Sequence, residues 1–186
     1  PIFKRGQPEL LITSDLKGMV LNLPPPLNKA ANATLPLRIE TQLTKDSLAP
    51  KSKVMQDQIK LSVARVLSLN YVRDVSSAQT RVLRGAIALG VFTTEATPSR
   101  DAGVSLSLQQ ANVDLDAWNE VMTQLTATTA NKSKSRSTKT SLVGQEMESI
   151  GAPDYMPSLL TVRADQMKLA DRFINRVVVG GVRMGE

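Results

Sequence analysis

Alternation of apolar and polar residues predicts two β-strands in the chain. In "LPLRIETQL", residues 35–43, the apolar side chains Leu35, Leu37, Ile39 and Leu43 point to one side. In "AGVSLSLQQ", residues 102–110, the side chains of Val104, Leu106 and Leu108 do the same. A period of two is typical of a strand with one buried face. Both stretches are therefore expected to be half-buried strands.

Helical spacing of apolar residues predicts four helices. From 52 to 72 the apolar positions are Met55, Ile59, Val63 and Val66, and residues 76–90 begin with a capping-box pattern at Ser76 and end at Gly90. Asp114 is a candidate N-cap for a helix that buries Leu115, Trp118, Met122 and Leu125. The longest helix is expected over 158–179, with Ala164, Met167, Ala170, Ile174 and Val177 inward. These spacings follow the 3.6-residue period of a helix.

Two stretches lack a regular pattern. Residues 1–34 contain three consecutive prolines, Pro24, Pro25 and Pro26, which fix φ and donate no backbone hydrogen bond. Residues 131–141 hold basic, Ser and Thr residues and no large aliphatic side chain. The predicted fold is a single compact α+β domain, 35–186, helix-rich with a small antiparallel sheet. An extended N-terminal arm, 1–34, precedes it, and a mobile basic loop lies at 131–141.

Composition narrows the function. The 186 residues carry a formal charge of +6, which favours phosphate, anionic lipid or an acidic partner. Cysteine and histidine are both absent, which excludes disulfides, Cys/His zinc sites, thiol nucleophiles and Ser-His-Asp triads. Aromatic residues make up only 3% of the chain, so contact with phosphates is expected rather than stacking on bases.

No enzyme signature stands out. "GAIALG" lacks the lysine and hydroxyl of a phosphate-binding loop, and no helix follows "GGVRMG" at residues 180–185. Asp114 and Asp116 could hold a divalent cation, but helix capping explains Asp114 without one. We therefore expect no catalysis, no cofactor, no metal and no small-molecule substrate.

Three basic clusters are the candidate sites for a polyanion. The first is the tract Lys132, Lys134, Arg136 and Lys139, which is either a solvated loop or a mobile contact for phosphate or lipid headgroups. The second is Lys168, Arg172 and Arg176, which recur every four residues and form one stripe of the predicted last helix. The third is Arg73, Arg81 and Arg84. The second is either a solvated face or a row that binds phosphates.

The chain resembles the rhabdovirus matrix proteins in "IFKR" at 2–5, "LPPPL" at 23–27 and the expected strand followed by two helices over 35–90. In that family a basic N-terminal segment engages anionic membrane, and a proline-rich motif recruits host budding machinery. The resemblance implies lipid contact by Lys4 and Arg5 and partner contact by Pro24, Pro25 and Pro26.

The predicted function is therefore that of a viral structural protein, located in the virion and, during assembly, in the host cytoplasm. It self-associates into a virion layer and binds viral RNA or ribonucleoprotein and anionic membrane. The alternative is a coat or nucleocapsid protein that packages genomic RNA through phosphate contacts. A cellular adaptor that binds neither RNA nor lipid is a third class. Flotation with anionic liposomes against nuclease protection of RNA separates the three.

Overall fold

Nine β-strands make up most of the chain that the computed structural model describes, namely residues 2–4, 6–90, 95–121, 123–124 and 155–182. The strands are β1 (Ile2–Lys4), β2 (Gln7–Ser14), β3 (Leu37–Leu43), β4 (Gln56–Val63), β5 (Leu67–Asp74), β6 (Arg81–Gly90), β7 (Gly103–Asp114), β8 (Leu159–Leu169) and β9 (Arg172–Val182). A short helix, α1 (Lys45–Leu48), lies between β3 and β4. Residues 115–121, directly after β7, are also helical.

The strands form one sheet in which spatial order follows chain order, from β1 to β9. Neighbouring strands are antiparallel except at β6–β7 and β7–β8, which are parallel. Parallel neighbours require a crossover connection, and the two crossovers are residues 91–102 and 115–158. Among the described elements, each strand makes substantial contact only with its neighbours in the sheet, and α1 makes substantial contact only with β4. The described strands therefore form a single layer.

The register decides which side chains share a face of this layer. In β3, Leu37 and Ile39 project to one face, while Arg38 and Glu40 project to the other. Leu37 pairs with Val63 and Ile39 with Leu61, so the same separation continues into β4. Because paired residues lie on the same side of a sheet, one face is aliphatic from strand to strand and the other is largely polar.

The prediction of a helix-rich α+β fold with a small antiparallel sheet is wrong. Residues 52–72 contain β4 and the start of β5, residues 76–90 contain β6, and residues 158–179 contain β8 and most of β9. Apolar residues four apart satisfy a strand as well as a helix, because four is a multiple of two. Ile59, Leu61 and Val63 alternate, and Leu61 is the residue that distinguishes the two periods.

Local turn chemistry explains two of these errors. The capping-box residue Ser76 lies in the β5–β6 turn, where its backbone N–H and its hydroxyl both donate to Asp74 Oδ1. Ala170 and Asp171, in the middle of the predicted last helix, have φ values of 48° and 58° and form the β8–β9 turn. Positive φ at both central residues is the mark of a tight hairpin turn.

Other predictions agree with the structure. Strands were expected at 35–43 and 102–110, and β3 and β7 lie there. Asp114 Oδ1 accepts a hydrogen bond of 2.9 Å from Ala117 N, as expected of an N-cap, and the helical residues 115–121 follow. Met122 and Leu125, expected in the same buried stripe, lie outside the residues whose side chains the structure describes.

Residues 1–34, predicted as an arm, contribute β1 and β2 to the sheet. The connection from β2 to β3 holds Pro24, which is buried, Pro26, which is half-buried, and Pro25, which is exposed. The Pro25–Pro26 peptide bond is cis. Lys29, only 6% exposed, closes this connection by donating from Nζ to the carbonyl oxygens of Met19 and Ala30.

Candidate functional site

Two rows of aliphatic side chains run across the strands on the apolar face, and we call these fourteen residues the apolar strip. In the first row each residue pairs in register with the next: Ile12, Ile39, Leu61, Leu69, Ile87, Leu106 and Leu160. The second row is likewise in register: Leu37, Val63, Leu67, Leu89, Leu108, Val162 and Val179. No polar residue interrupts either row.

The apolar strip is long and narrow. Strands lie about 4.8 Å apart and residues of one face about 6.7 Å apart along a strand, so the strip measures about 30 Å by about 13 Å. Between Leu37 in β3 and Val162 in β8, the side chains of the strip are half-buried, except that of Val63, which is buried. Ile12 and Val179, at its two ends, are 42% and 44% exposed. Its area, roughly 400 Å², is comparable to the largest apolar patch of a typical monomer, and such a patch is often functional.

The opposite face of the sheet carries small or polar side chains. The row that alternates with the two aliphatic rows holds small or polar residues, among them Ser62, Ser68, Ala88 and Ser107. Part of the β6–β7 crossover lies on this face, since Ala96 N donates to Ser68 Oγ and Asn70 Nδ2 donates to Ala96 O. The polar face is thus partly covered by hydrogen-bonded backbone around Ser68 and Asn70, whereas most side chains of the apolar strip are half-buried.

A buried ion pair lies on one side of the strip, beyond Ile59 and Tyr71, and we call this side the capped margin. Asp57 and Arg73 are paired in register on the apolar face. Arg73 Nε donates to Asp57 Oδ1 at 3.0 Å and Nη2 donates to Oδ2, so the contact is bidentate. Burial lowers the pKa of Arg73, but hydrogen bonds to Asp57 and Tyr155 outweigh burial and raise it above its ordinary value. Arg73 therefore stays charged and paired with Asp57.

Two tyrosines complete the capped margin. The ring of Tyr71 lies over Gly85, where an added Cβ would come within 2.2 Å of Tyr71 Cδ1, so glycine is required. Tyr71 Oη donates to the carbonyl oxygen of Tyr155 at 3.0 Å, and the rings meet edge to face at 5.4 Å. Burial, with a smaller contribution from Tyr155, raises the pKa of Tyr71 to about 12. The capped margin is a packed and hydrogen-bonded end to the apolar face.

Side-chain amides border the other side of the strip, which we call the amide margin. It consists of Gln110, Asn112, Gln166 and Asn175 on β7, β8 and β9. Asn112, Gln166 and Asn175 are paired in register, and Gln110 lies one step nearer the strip, opposite Ala164. Gln166 Nε2 donates to Asn175 Oδ1 at 3.2 Å. Gln110 Oε1 is buried and accepts no hydrogen bond from the described residues.

A charged group lies beyond the amide margin. Lys168 Nζ is 3.2 Å from Asp171 Oδ1, 3.8 Å from Asp114 Oδ2 and 4.0 Å from Asp116 Oδ2. The hydrogen bond to Asp171, followed by the charge of Asp114, raises the pKa of Lys168. Asp116 also accepts hydrogen bonds from the backbone N–H groups of Ala170 and Asp171, which fixes the β8–β9 turn.

The structure does not gather the predicted polyanion-binding residues. Arg73, Arg81 and Arg84 lie where β5 ends and β6 begins, whereas Lys168 and Arg172 lie at the β8–β9 turn, at the opposite end of the strands. Arg73 already forms a buried ion pair with Asp57. Lys168 already forms ion pairs with Asp114, Asp116 and Asp171. Lys168, Arg172 and Arg176 belong to two strands, so they form no helical stripe, and Arg176 has a φ of 55°.

The other predicted contacts fall partly outside the described residues. Lys132, Lys134, Arg136 and Lys139 lie outside them, as do the side chain of Lys4 and all of Arg5. Binding of a polyanion by the four tract residues, and contact of Lys4 and Arg5 with lipid, stay predictions. Sequence reasoning missed the apolar strip and the amide margin, although the alternation in "QIKLSV" and in "LSLNYV" was a usable signal for the strip.

The described residues contain neither a metal-binding cluster of side chains nor a membrane-spanning helix. No group of three or more Asp and Glu side chains there is placed to hold a metal ion. None of the helices in that part of the chain has the length and apolarity to cross a membrane.

Comparison with known proteins corrects the predicted identity. A search of curated proteins and of solved structures gave no match. The family model of the YhdP protein, a bacterial family, matches residues 3–184. This match overturns the resemblance to rhabdovirus matrix proteins, the predicted virion structural role with its coat-protein alternative, and the predicted location in a virion and its host cell. Because the match covers nearly the whole chain, the chain belongs to the YhdP protein family.

Proposed function

We propose that the chain binds the acyl chains of lipids along the apolar strip. The observation that supports this proposal is the pair of in-register aliphatic rows, half-exposed across seven consecutive strands and bordered by polar groups on both sides. The role is binding rather than catalysis.

The dimensions of the strip suit an acyl chain. A bilayer core about 30 Å thick holds two opposed leaflets, so one acyl chain is roughly 15 Å long. The strip, about 30 Å long, can therefore hold an acyl chain along its whole length. Each methylene that leaves water for the strip contributes up to about 0.8 kcal/mol, so a long-chain lipid has ample driving force.

A second protein layer fits the strip less well. The strip offers roughly 400 Å², whereas a stable protein interface buries about 800 Å² on each partner. Two sheets packed face to face would also press the capped margin and the amide margin against apolar side chains. Desolvating those polar groups without new partners costs free energy. A narrow apolar ligand avoids that cost.

Titration with a fluorescent long-chain fatty acid tests the proposal. We expect binding by the unaltered chain and at least tenfold weaker binding by Leu69→Gln, which places a polar amide in the middle of the first row. The matched control is Leu159→Gln, the same change on the opposite face at a residue that is 46% exposed. Its affinity should stay within about twofold of the unaltered chain.

Two results would contradict the proposal. One is the absence of binding by the unaltered chain. The other is an equal loss in Leu69→Gln and Leu159→Gln, which would mean that the probe does not distinguish the two faces. Leu106→Gln, in the same row on another strand, serves as a second variant should Leu69→Gln fold poorly. Sedimentation of the unaltered chain without lipid reports whether a second copy covers the strip instead.

A further inference from the structure

Strand β9 has one open edge. Among the described elements, β9 pairs with β8 alone. Every one of its eleven residues is exposed except Val177, which is half-buried. A strand of this length with one unpaired edge presents free backbone N–H and C=O groups to a further strand.

The second half of β9 is apolar on both faces of the sheet. We call residues 177–182, Val-Val-Val-Gly-Gly-Val, the apolar edge. Val179 lies on the face of the strip and is 44% exposed, whereas Val178 and Val182 lie on the opposite face and are 72% and 70% exposed. Charged residues or proline commonly protect an edge strand against pairing, and the apolar edge contains neither. It therefore has the composition of a strand that accepts a neighbour by main-chain hydrogen bonds.

The charges of β9 favour antiparallel pairing with a second copy of the same strand. Arg172 and Arg176 both precede the apolar edge, and Arg176, with a φ of 55°, interrupts the regular strand there. Antiparallel pairing of two apolar edges places these arginines at opposite ends of the pair. Parallel pairing would place them side by side, where like charges repel. Two-fold symmetry of the antiparallel kind is the commonest in protein oligomers.

The apolar strip indicates the register of this pairing. A two-fold axis perpendicular to the sheet keeps the strips of both copies on the same side, so residues directly opposite each other share a face. With Val179 opposite Val179 of the second copy, the second aliphatic row continues without a break, and Val177 lies opposite Gly181. On the other face Val178 lies opposite Gly180, so large side chains meet only at the axis.

We propose that the apolar edge is the interface of a symmetric dimer, in which β9 pairs antiparallel with β9 of a second copy and Val179 lies on the two-fold axis. The sheet then continues from one copy into the other. This pairing covers neither face of the sheet, so the apolar strip stays open to a ligand. The inference goes beyond the proposed function and does not depend on it.

Cysteine cross-linking tests the register, because the chain contains no cysteine of its own. In Val179→Cys the Cα atoms of the two cysteines are about 4.5 to 5.5 Å apart, within the range of a disulfide. The matched control is Val182→Cys on the same strand, at a more exposed residue, where the two Cα atoms are about 20 Å apart. Under the same mild oxidation without lipid, we expect about tenfold or more linked dimer in Val179→Cys than in Val182→Cys.

A charge in the apolar edge tests the pairing without cysteine. Val178→Lys places an ammonium where the second copy would desolvate it, so self-association measured by sedimentation equilibrium should weaken about tenfold or more. The new lysine lies opposite Arg163, and urea denaturation of the variant checks that the chain still folds. The matched control is Leu11→Lys on β2, the same change on the same face at a residue that is 55% exposed. It should associate as the unaltered chain does.

The possible outcomes separate this inference from the proposed function. Equal cross-linking at positions 179 and 182, a monomer at every concentration, or equal effects of the two lysine substitutions overturns the dimer. Complexes larger than a dimer overturn the two-fold pairing, because a closed pair has no further open β9 edge. A monomer that binds the fluorescent fatty acid leaves the proposed function intact. A dimer linked at position 179 that binds no fatty acid overturns the proposed function and supports this inference.

Discussion

The two margins of the apolar strip differ in how their polar groups are satisfied. At the capped margin, Asp57, Arg73 and Tyr71 are hydrogen-bonded to one another or to Tyr155. At the amide margin, Gln110 Oε1 has no donor among the described residues. Pairing within the fold offsets the cost of burying the polar groups of the capped margin, whereas Gln110 Oε1 has no such offset among the described residues. The capped margin therefore stabilises the sheet, whereas the buried side-chain oxygen of Gln110 does not.

Removing one charge from the capped margin should give the largest effect. Asp57→Asn leaves Arg73 buried without its carboxylate, with side-chain exposures of only 10% and 20% in the pair. We expect a loss of about 3 to 5 kcal/mol in the free energy of unfolding, as for other broken buried pairs. Urea denaturation followed by circular dichroism measures it.

The control for Asp57→Asn is Glu40→Gln, which breaks the exposed Arg38–Glu40 pair on the polar face. An exposed pair contributes less than about 1 kcal/mol. Equal effects of the two substitutions would contradict the structural role of the capped margin.

Deprotonation of Tyr71 at alkaline pH should lower the free energy of unfolding by somewhat less than Asp57→Asn does. Its pKa is about 12 in the folded chain, against 10.0 for an ordinary tyrosine. Below pH 10 the phenol is protonated in both states, so its contribution is fully present. As pH rises from 10 to 12 the unfolded chain loses the proton first, and stability falls by roughly 2 to 3 kcal/mol in total.

Tyr71→Phe should remove this alkaline component. The comparison is the free energy of unfolding of Tyr71→Phe and of the unaltered chain at pH 9, 10, 11 and 12. Parallel curves for the two proteins would show that Tyr71 is not responsible. The difference between the curves, rather than either curve alone, cancels the titration of other groups.

At the amide margin, substitution should have the smallest effect on folding. Gln110→Leu removes a buried acceptor without a donor, so the free energy of unfolding should stay the same or rise by up to about 1 kcal/mol. Thermal and urea unfolding of the lipid-free chain check this. A clear loss of stability would assign Gln110 to the fold and remove the contrast between the margins.

Parts of this molecule could be predicted from sequence because their signal is local. The alternation in β3 and β7 and the N-cap at Asp114 each depend on fewer than ten neighbouring residues. Segments such as 52–72 failed because apolar residues four apart fit both periods, and the intervening Leu61 received too little weight. The β8–β9 turn was missed because Ala170 and Asp171 adopt positive φ without the glycine that usually marks such a turn.

The candidate site could not be predicted, since it depends on register between strands distant in the chain. Asn112 and Gln166 are brought side by side by the parallel pairing of β7 and β8, across a long crossover. Gln110 is one of several glutamines in the sequence, and nothing local separates it from Gln109 on the opposite face. Only the assembled sheet shows that four amides border two aliphatic rows.

Quenching of a fluorophore by brominated fatty acid reports directly whether acyl chains lie on the apolar strip, because the chain contains no cysteine and can be labelled at one engineered position. Leu106→Cys places the fluorophore on the apolar strip, and Ser107→Cys places it on the opposite face of the same strand. We predict strong, saturable quenching at position 106 and little at position 107. Equal quenching at both positions, or stronger quenching at position 107, would contradict it.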